Sequence, residues 1–569
     1  MARPEKVRLG ELLVQQGLIT EDQLKLALDD QKRSGRKLGR VFVENGFVTE
    51  EAISQALAKQ LQIPYIDLKY FNVRPELIQI LPEAQARRFR ALVLEERGGA
   101  LRVGLVDPTD LFAYDEISRV VKRAIELAVV TESQLLATVD RLYRRTEEIS
   151  DLAQELTAEM GDGAVEFGDL FALTPGLEEA PVVKLLQTMF EDAIQVRASD
   201  IHIEPQERNL RIRFRIDGML HVQTEADSKI ATALVLRLKL MAGLDISEKR
   251  LPQDGRFNVK VRNNPVDIRI SSMPTQYGES VVMRLLNQAT GLIGLEALGM
   301  PPRLLERLRH AIRRPSGMVL VTGPTGSGKT TTLYAALKEI NTTEKKIITV
   351  EDPVEYRLPG INQVQVHDKI NLSFDRVLRA ALRQDPDIVL VGEMRDQVTA
   401  EIGLRASITG HMVLSTLHTN DAAGTPLRLL DMGVPRYMVA LSLQLVLAQR
   451  LVRVVCETCV REHTLLPHEH EWLRYELGDE VDQHKFVEGA GCSHCNGTGY
   501  LGRTGIYEML EMTSTVIEAA NHDDPGVFMQ AARKQMAGET LRHDAVRLAT
   551  VGRTTVEEAM RVTSQADED

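Results

Sequence analysis

The chain has no apolar run near the roughly 20 residues needed to cross a bilayer, and its first residues, MARPEKVRLGE, lack the apolar core of a secretory signal. Both absences point to a soluble, cytosolic protein. It also lacks a basic excess: 69 Lys and Arg stand against 81 Asp and Glu, a net charge of −12, which argues against a nucleic acid polymer as the main partner. Cysteine is scarce. Its four copies form two CxxC pairs, Cys456/Cys459 and Cys492/Cys495, a pattern that in a reducing compartment suits a metal better than disulfides. A length of 569 residues is too great for one hydrophobic core and implies about three or four domains.

The strongest motif is GPTGSGKT at 323–330, a complete GxxxxGK[ST] phosphate loop. An apolar strand, Met318–Thr322, precedes it, and Thr331–Lys338 is apolar at helical spacing, so the loop opens a helix. Gly323, Gly326 and Gly328 let backbone N–H groups turn toward phosphate oxygens, with Pro324, Thr325 and Ser327 between them. Lys329 offers a cation to the β/γ-phosphates, Thr330 a hydroxyl to Mg²⁺, and Thr331 continues the site into the helix. ATP with Mg²⁺ is the implied ligand.

Three segments beyond the loop carry residue types that suit ATP chemistry. IITVEDPVEY (347–356) delivers Glu351, Asp352 and Glu355 to a strand end, where carboxylates orient water or hold Mg²⁺ through its shell. DIVLVGEMRD (387–396) is an apolar strand ending in Glu393, with the character of a Walker B acid. In TGHMVLSTLHTN (409–420), His411 and His418 flank a further buried strand. Upstream, Arg211, Arg213 and Arg215 alternate with Ile212, Phe214 and Ile216 before Asp217-Gly218, so a strand with one charged face enters a tight turn. Cations on a separate domain can be brought against the γ-phosphate, and this strand face is read that way.

The amino terminus is duplicated. Residues 8–31 align without gaps on 37–60, with nine of 24 positions identical. Each copy passes a glycine turn, Gly17 or Gly46, and enters a helix capped by Thr20 or Thr49. Leu24, Ala27, Leu28 and Gln31 share one helix face, as do Ile53, Ala56, Leu57 and Gln60. Residues 61–145 read as a small mixed unit with strands at Ala91–Leu94 and Leu101–Val106 and a helix over Leu111–Val121. From Thr146 to Ala180 the composition turns acidic and weakly periodic, as in a flexible linker.

The run GPTGSGKTT, then EDPVEY, VGEMRD and TGHMVLSTLHTN, behind SDIHIEP and RLPQDGR, resembles the hexameric ATPases of type II secretion and type IV pilus assembly over roughly residues 180–569. The resemblance implies a multidomain α/β protein: a regulatory domain over 1–145, a linker over 146–180, a smaller α/β domain over 181–300 and a RecA-like motor domain over 301–569. By motif match Arg269 in DIRIS and Arg284 in VVMRLL are the γ-phosphate arginines, while Glu351, Glu355 and Glu393 all remain open as general base. Implied too are a homo-hexamer and an inner-membrane platform protein that holds the cytoplasmic ring peripherally at the membrane.

The cysteine pairs fit extension-type members, which carry a tetracysteine Zn²⁺ knuckle, here spanning 456–495. A closed tetrahedron of thiolates is structural rather than catalytic, and His494 is the competing ligand that four cysteines leave out. The amino-terminal repeat looks like the tandem cyclic di-GMP module of mannose-sensitive haemagglutinin pilus ATPases. That likeness assigns the dinucleotide to Arg8, Leu9, Gly10, Leu28 and Gln31 and to Lys37, Leu38, Gly39, Leu57 and Gln60. Lys37 stands where that module has arginine, and lysine lacks the planar fork, which lowers the expected affinity. The whole implies an ATP hydrolase that drives pilus assembly under cyclic di-GMP control. A type II secretion ATPase is the alternative, and a DNA-transfer ATPase is disfavoured by the acidic composition.

Overall fold

The computed structural model describes residues 9–34, 38–78, 80–143, 146–160, 181–261, 264–286 and 293–564. Each copy of the amino-terminal repeat folds as a helix pair, Leu9–Gln15 with Glu21–Ser34 and Leu38–Glu44 with Glu50–Leu61. Gly17 and Gly46 turn the chain at φ of 69° and 68°, a region costly for side-chain-bearing residues. Thr49 Oγ1 then caps its helix by accepting from Ala52 N at 3.2 Å. Equivalent positions of the two copies meet in one core, Leu12 with Val41, Leu13 with Phe42 and Ala27 with Ala56. Glu50 ties this cluster to the next unit by accepting from the N–H groups of Glu132 and Ser133 at 2.7 and 3.1 Å, at the start of the helix Glu132–Leu142. That unit is a three-stranded sheet, β1 (Ala91–Arg97), β2 (Ala100–Leu105) and β3 (Ile125–Val129).

The second domain is a six-stranded antiparallel sheet backed by helices. Its order is β6-β5-β4-β9-β8-β7, with β4 Asp200–Pro205, β5 Asn209–Ile216, β6 Met219–Asp227, β7 Gln253–Val261, β8 Asn264–Thr275 and β9 Gly278–Leu286. Asp217 and Gly218 make the expected turn, both at positive φ. The linker expectation fails over its first part. Thr146–Met160 is a helix whose Ile149, Ala153 and Leu156 lie in this domain's core beside Leu185, Leu186 and Met189 of the helix Pro181–Gln195. Residues 161–180 of the expected linker lie outside the described residues. The arginine face of β5 also differs from expectation. Arg211 pairs with Glu225, Arg213 with Glu204 in bidentate fashion, and Arg215 approaches Asp200 at 3.7 Å, so acids on β6 and β4 neutralise that face.

The third domain is built on a seven-stranded sheet of order β12-β11-β13-β14-β10-β15-β18. Its strands are β10 Gly317–Thr322, β11 Ile347–Glu351, β12 Asn362–Gln365, β13 Ile388–Val391, β14 Met412–Leu417, β15 Leu443–Val455 and β18 Tyr500–Glu511. All neighbours are parallel except β15 and β18. β10, β11, β13 and β14 are buried throughout, as strands covered on both faces must be. One face packs on the helices Pro302–Ile312 and Lys329–Ile340, the other on Gln397–Ile408 and the carboxy-terminal helices. Leu295 and Leu298 already belong to this core. Between β15 and β18 the chain makes a small ribbon, β16 (Val460–His463) with β17 (Phe486–Gly489), that carries the cysteines. Among the described residues no helix is long and apolar enough to cross a membrane.

Candidate functional site

The parallel sheet sets the polarity of the site. Gly317 is paired with Met412 and Thr322 with Leu417, so the loop after β10 and the segment after β14 emerge at the same, carboxyl edge. Thr322 Oγ1 joins them, donating to Leu417 O and accepting from Thr419 N, both at 3.0 Å. Gly323, Gly326 and Gly328 take φ of 140°, 83° and 90°, and the helix Lys329–Ile340 begins immediately. Pro324 and Thr325 are exposed at the loop's crest, Ser327 is buried, and Thr330 and Thr331 are half-buried at the helix start. Lys329 Nζ donates to the carbonyls of Gly323 and Pro324 at 2.7 and 3.1 Å. Burial pushes its pKa down to about 8, against the pull of Glu393.

Glu393 follows β13 at the same edge. Its Oε1 lies 3.1 Å from His418 Nε2 and its Oε2 accepts from Arg395 Nε at 2.9 Å. Arg395 also reaches Asp352 at 3.2 Å, which joins the acidic segment after β11 to the acid after β13. Burial and the nearby cations Lys329 and Arg395 push the His418 pKa below its ordinary value, with Glu393 opposing. The three sequence-selected glutamates thus have different settings. Glu351, 3% exposed, has its oxygens on Tyr334 Oη, Thr349 Oγ1 and Gln363 Nε2 and serves as a pin inside the sheet. Glu355 pairs at 2.9 Å with Arg269, which also donates to Val354 O at 2.7 Å. An arginine of β8 in the second domain therefore touches the acidic segment of the third. Arg284, its cross-strand neighbour on β9, is bound to Asp200 at 3.1 Å.

His411 does not join this group. It stands before β14, where its backbone O accepts from Gly317 N and its Nδ1 lies 3.0 Å from Ala406 O. A whole strand separates it from His418, about 23 Å at 3.3 Å per residue, so the two histidines occupy opposite edges of the sheet. Residues that the sequence did not single out also shape the site. Gln449 of β15 is hydrogen-bonded to the loop and its helix. Arg450 holds Asn420 O and Val562 O, and Glu508 of β18 accepts from Ala422 N, with burial raising its pKa to about 7. These partners are remote in sequence, so no local pattern marks them.

The four cysteines converge. Sγ atoms of Cys456 and Cys492, Cys459 and Cys495, and Cys492 and Cys495 are each 3.8 Å apart, and all four lie within 4.8 Å of one another. A tetrahedron with metal–sulfur bonds of about 2.3 Å has edges of about 3.8 Å, so the donor set fits Zn²⁺ in a closed structural site. The backbone N–H groups of Cys492 and Gly499 both point at Cys495 Sγ from 3.2 Å, which suits a thiolate. His494 is turned away, with Nε2 3.1 Å from Phe71 O of the amino-terminal unit. Ser493 Oγ and Thr458 Oγ1 reach Asn72 and Lys69 O alongside it.

In the duplicated module, Arg8 and Lys37 lie outside the described residues, and of Leu9 only the backbone is described. Gly10 is buried with Leu24 so close that a Cβ would meet its Cδ1 at 2.3 Å. Leu38 and Leu57 pack on the helical core, Gly39 and Gln31 are half-buried, and Leu28 and Gln60 are exposed.

Comparison with known proteins agrees with this architecture. Residues 176–561 match the family described as Type II/IV secretion system protein, and residues 61–149 match the MshEN domain. The type IV pilus assembly ATPase PilB of Myxococcus xanthus (strain DK1622) is 41% identical over 560 residues, 97% of this chain and 98% of that protein. Type II secretion system protein E of Dickeya dadantii (strain 3937) is 42% identical over 500 residues, 86% of this chain and 98% of that one. The Legionella pneumophila ATPase DotB shares the fold, with a TM-score of 0.50 and 22% identity over 67% of this chain and 96% of that chain. The chain therefore belongs to the type II/IV secretion system protein family, the family of type IV pilus assembly and type II secretion ATPases, and carries an MshEN domain ahead of the ATPase.

Proposed function

We propose that the protein is an ATP-hydrolysing motor that works as a homo-hexamer at the cytoplasmic face of the inner membrane. There it powers assembly of a type IV pilus of the mannose-sensitive haemagglutinin kind through a membrane platform protein. The observation that carries this reading is the contact of Arg269 with Glu355 and Val354 O, because it brings a second-domain cation to the edge of the sheet that bears the phosphate loop. A nucleotide bound there spans two bodies, so cleaving it changes how they are held together. Lys329 and the loop amides would take the phosphates, and Thr330 with Glu393 would hold the Mg²⁺ shell. Glu355, on the wall that faces the second domain, orients the attacking water, and Arg269 and Arg284 meet the charge that develops on the γ-phosphate. Mg²⁺ supplies charge neutralisation between the phosphates when bound.

Cyclic di-GMP is the proposed regulatory ligand of the duplicated helices; the match to the MshEN domain falls on the adjoining residues 61–149 and so supports the type of module, while the placement on the helices rests on their repeat. The four cysteines would hold Zn²⁺, which would close the ribbon between β15 and β18. The test is turnover of Mg-ATP by the full chain in its oligomeric form, with Lys329→Ala inactive. A folded wild-type oligomer that consumes no ATP sinks the motor reading. Calorimetric titration of the full chain with cyclic di-GMP tests the regulatory part separately, and silence at high micromolar ligand removes it. Type II secretion is the other use of the same motor, and loss of piliation or of protein export in a deletion strain separates the two.

A further inference from the structure

Gln449 sits on β15, the neighbour of β10 on the side away from β14, and is 1% exposed. Its Nε2 donates to Ser327 O at 2.8 Å and its Oε1 accepts from Thr332 Oγ1 at 2.7 Å. Ser327 and Thr332 lie on either side of Lys329, so one amide group spans the turn from phosphate loop to helix. The fit is close. A Cβ on Gly323 would meet Gln449 O at 2.3 Å, and one on Gly328 would meet Gln449 Nε2 at 2.7 Å.

The peptide plane turns this anchor into a statement about phosphate. In a trans peptide the C=O and the following N–H point in opposite directions. Fixing Ser327 O on the Gln449 amide therefore aims the Gly328 N–H the other way, into the concavity of the loop. Fixing the Thr332 hydroxyl holds the first helical turn, which carries Lys329 and Thr330, against the same strand. An amide supplies a donor and an acceptor together at that spacing without titrating. Leucine fills the volume with neither, and glutamate matches both only while burial keeps its carboxyl protonated.

We infer that Gln449 is a positioning residue for nucleotide binding: it sets the phosphate loop from the neighbouring strand, acting through Ser327 and Thr332 without itself touching the nucleotide. The inference rests on the nucleotide-binding reading above. The experiment uses the full chain and compares wild type with Gln449→Leu, Gln449→Glu, Thr332→Val and the Gln449→Leu/Thr332→Val double variant. Affinity for a fluorescent ADP is measured by titration, and melting temperature and bound zinc report the fold. Gln449→Leu is expected to weaken ADP roughly 10-fold, the consequence of leaving a buried carbonyl unpaired, and Gln449→Glu to lose affinity only as rising pH ionises its carboxyl. The double variant should bind no more weakly than Gln449→Leu alone, because Thr332 acts through the same amide. In steady-state turnover KM for ATP rises while kcat at saturation stays within a few-fold, a split that general loosening of the domain does not give. Wild-type ADP affinity in folded Gln449→Leu, or additive losses in the double variant, overturns the inference alone. A wild-type chain that binds no ADP overturns both it and the function it rests on.

Discussion

The two edges of the parallel sheet are built from the same strands and carry opposite content. At the carboxyl edge stand the phosphate loop, Glu393 with His418 and Arg395, and the acidic segment that meets Arg269. At the amino edge stands His411, occupied with Ala406 O and Gly317 N. Strand direction, more than residue type, decides which motif residues can reach a shared ligand, because parallel strands present all their carboxyl ends on one side. The difference can be broken or sharpened experimentally.

The largest effect is expected at the loop itself: Lys329→Ala should abolish measurable turnover and weaken Mg-ATP binding, and an active variant would contradict the placement of the phosphates. Next come the two acids. Glu355→Gln and Glu393→Gln should each lower kcat about 100- to 1,000-fold, but with different companions. Glu355→Gln keeps Mg²⁺-dependent ATP binding, whereas Glu393→Gln loses the Mg²⁺ dependence, and the reverse pattern in a titration with and without Mg²⁺ would exchange their roles. Arg269→Ala, which removes the cation that crosses between domains, should cost roughly 10- to 100-fold in kcat with the chain still folded by its melting temperature.

A smaller effect follows from acidity. The Lys329 pKa is lowered from 10.5 to about 8 by burial, so in the nucleotide-free chain the ammonium predominates only below about pH 8. Phosphate binds the cation, so KM for ATP should be flat below pH 8 and rise by up to about tenfold per pH unit above it. An ordinary lysine would leave KM flat to about pH 10, and a profile flat to pH 9.5 would remove the claim. The smallest effects isolate the comparison most directly. His418→Ala should lower kcat roughly 10-fold, while His411→Ala, at the far edge, should change it less than about twofold. Equal effects would mean that sheet polarity is not what sorts the two.

Much of this arrangement was legible in the sequence where the signal was local. GPTGSGKT with its flanking strand and helix, the strand-terminal Glu393, and the paired CxxC segments each depend on near neighbours, and each lies where its spacing implied. The misreadings share a physical cause. Ile149, Leu152, Ala153 and Leu156 do follow helical spacing, but sparse apolar content and many acids concealed a helix whose stability comes from the second domain's core. The β5 arginines seemed free because their acids, Glu204, Glu225 and Asp200, reside on neighbouring strands. His411 and His418 share a motif, yet the strand between them spends that proximity on length. Gln449 is 122 residues from Ser327, and only the pairing of β15 with β10 brings them together.

That same strand has one more consequence. β15 keeps unbroken register against β18 from Gln449 to Arg453, and the cysteine ribbon begins at Cys456, about 23 Å from Gln449 at 3.3 Å per residue. On that stretch the pairing shifts register between Arg453 and Val455, so the strand is held stiffly by β18 up to that bulge and bends there. A tug on the ribbon from residues 69–72 of the same chain is thus passed through that bulge toward the seat of the phosphate loop, as a key's bow turns its bit.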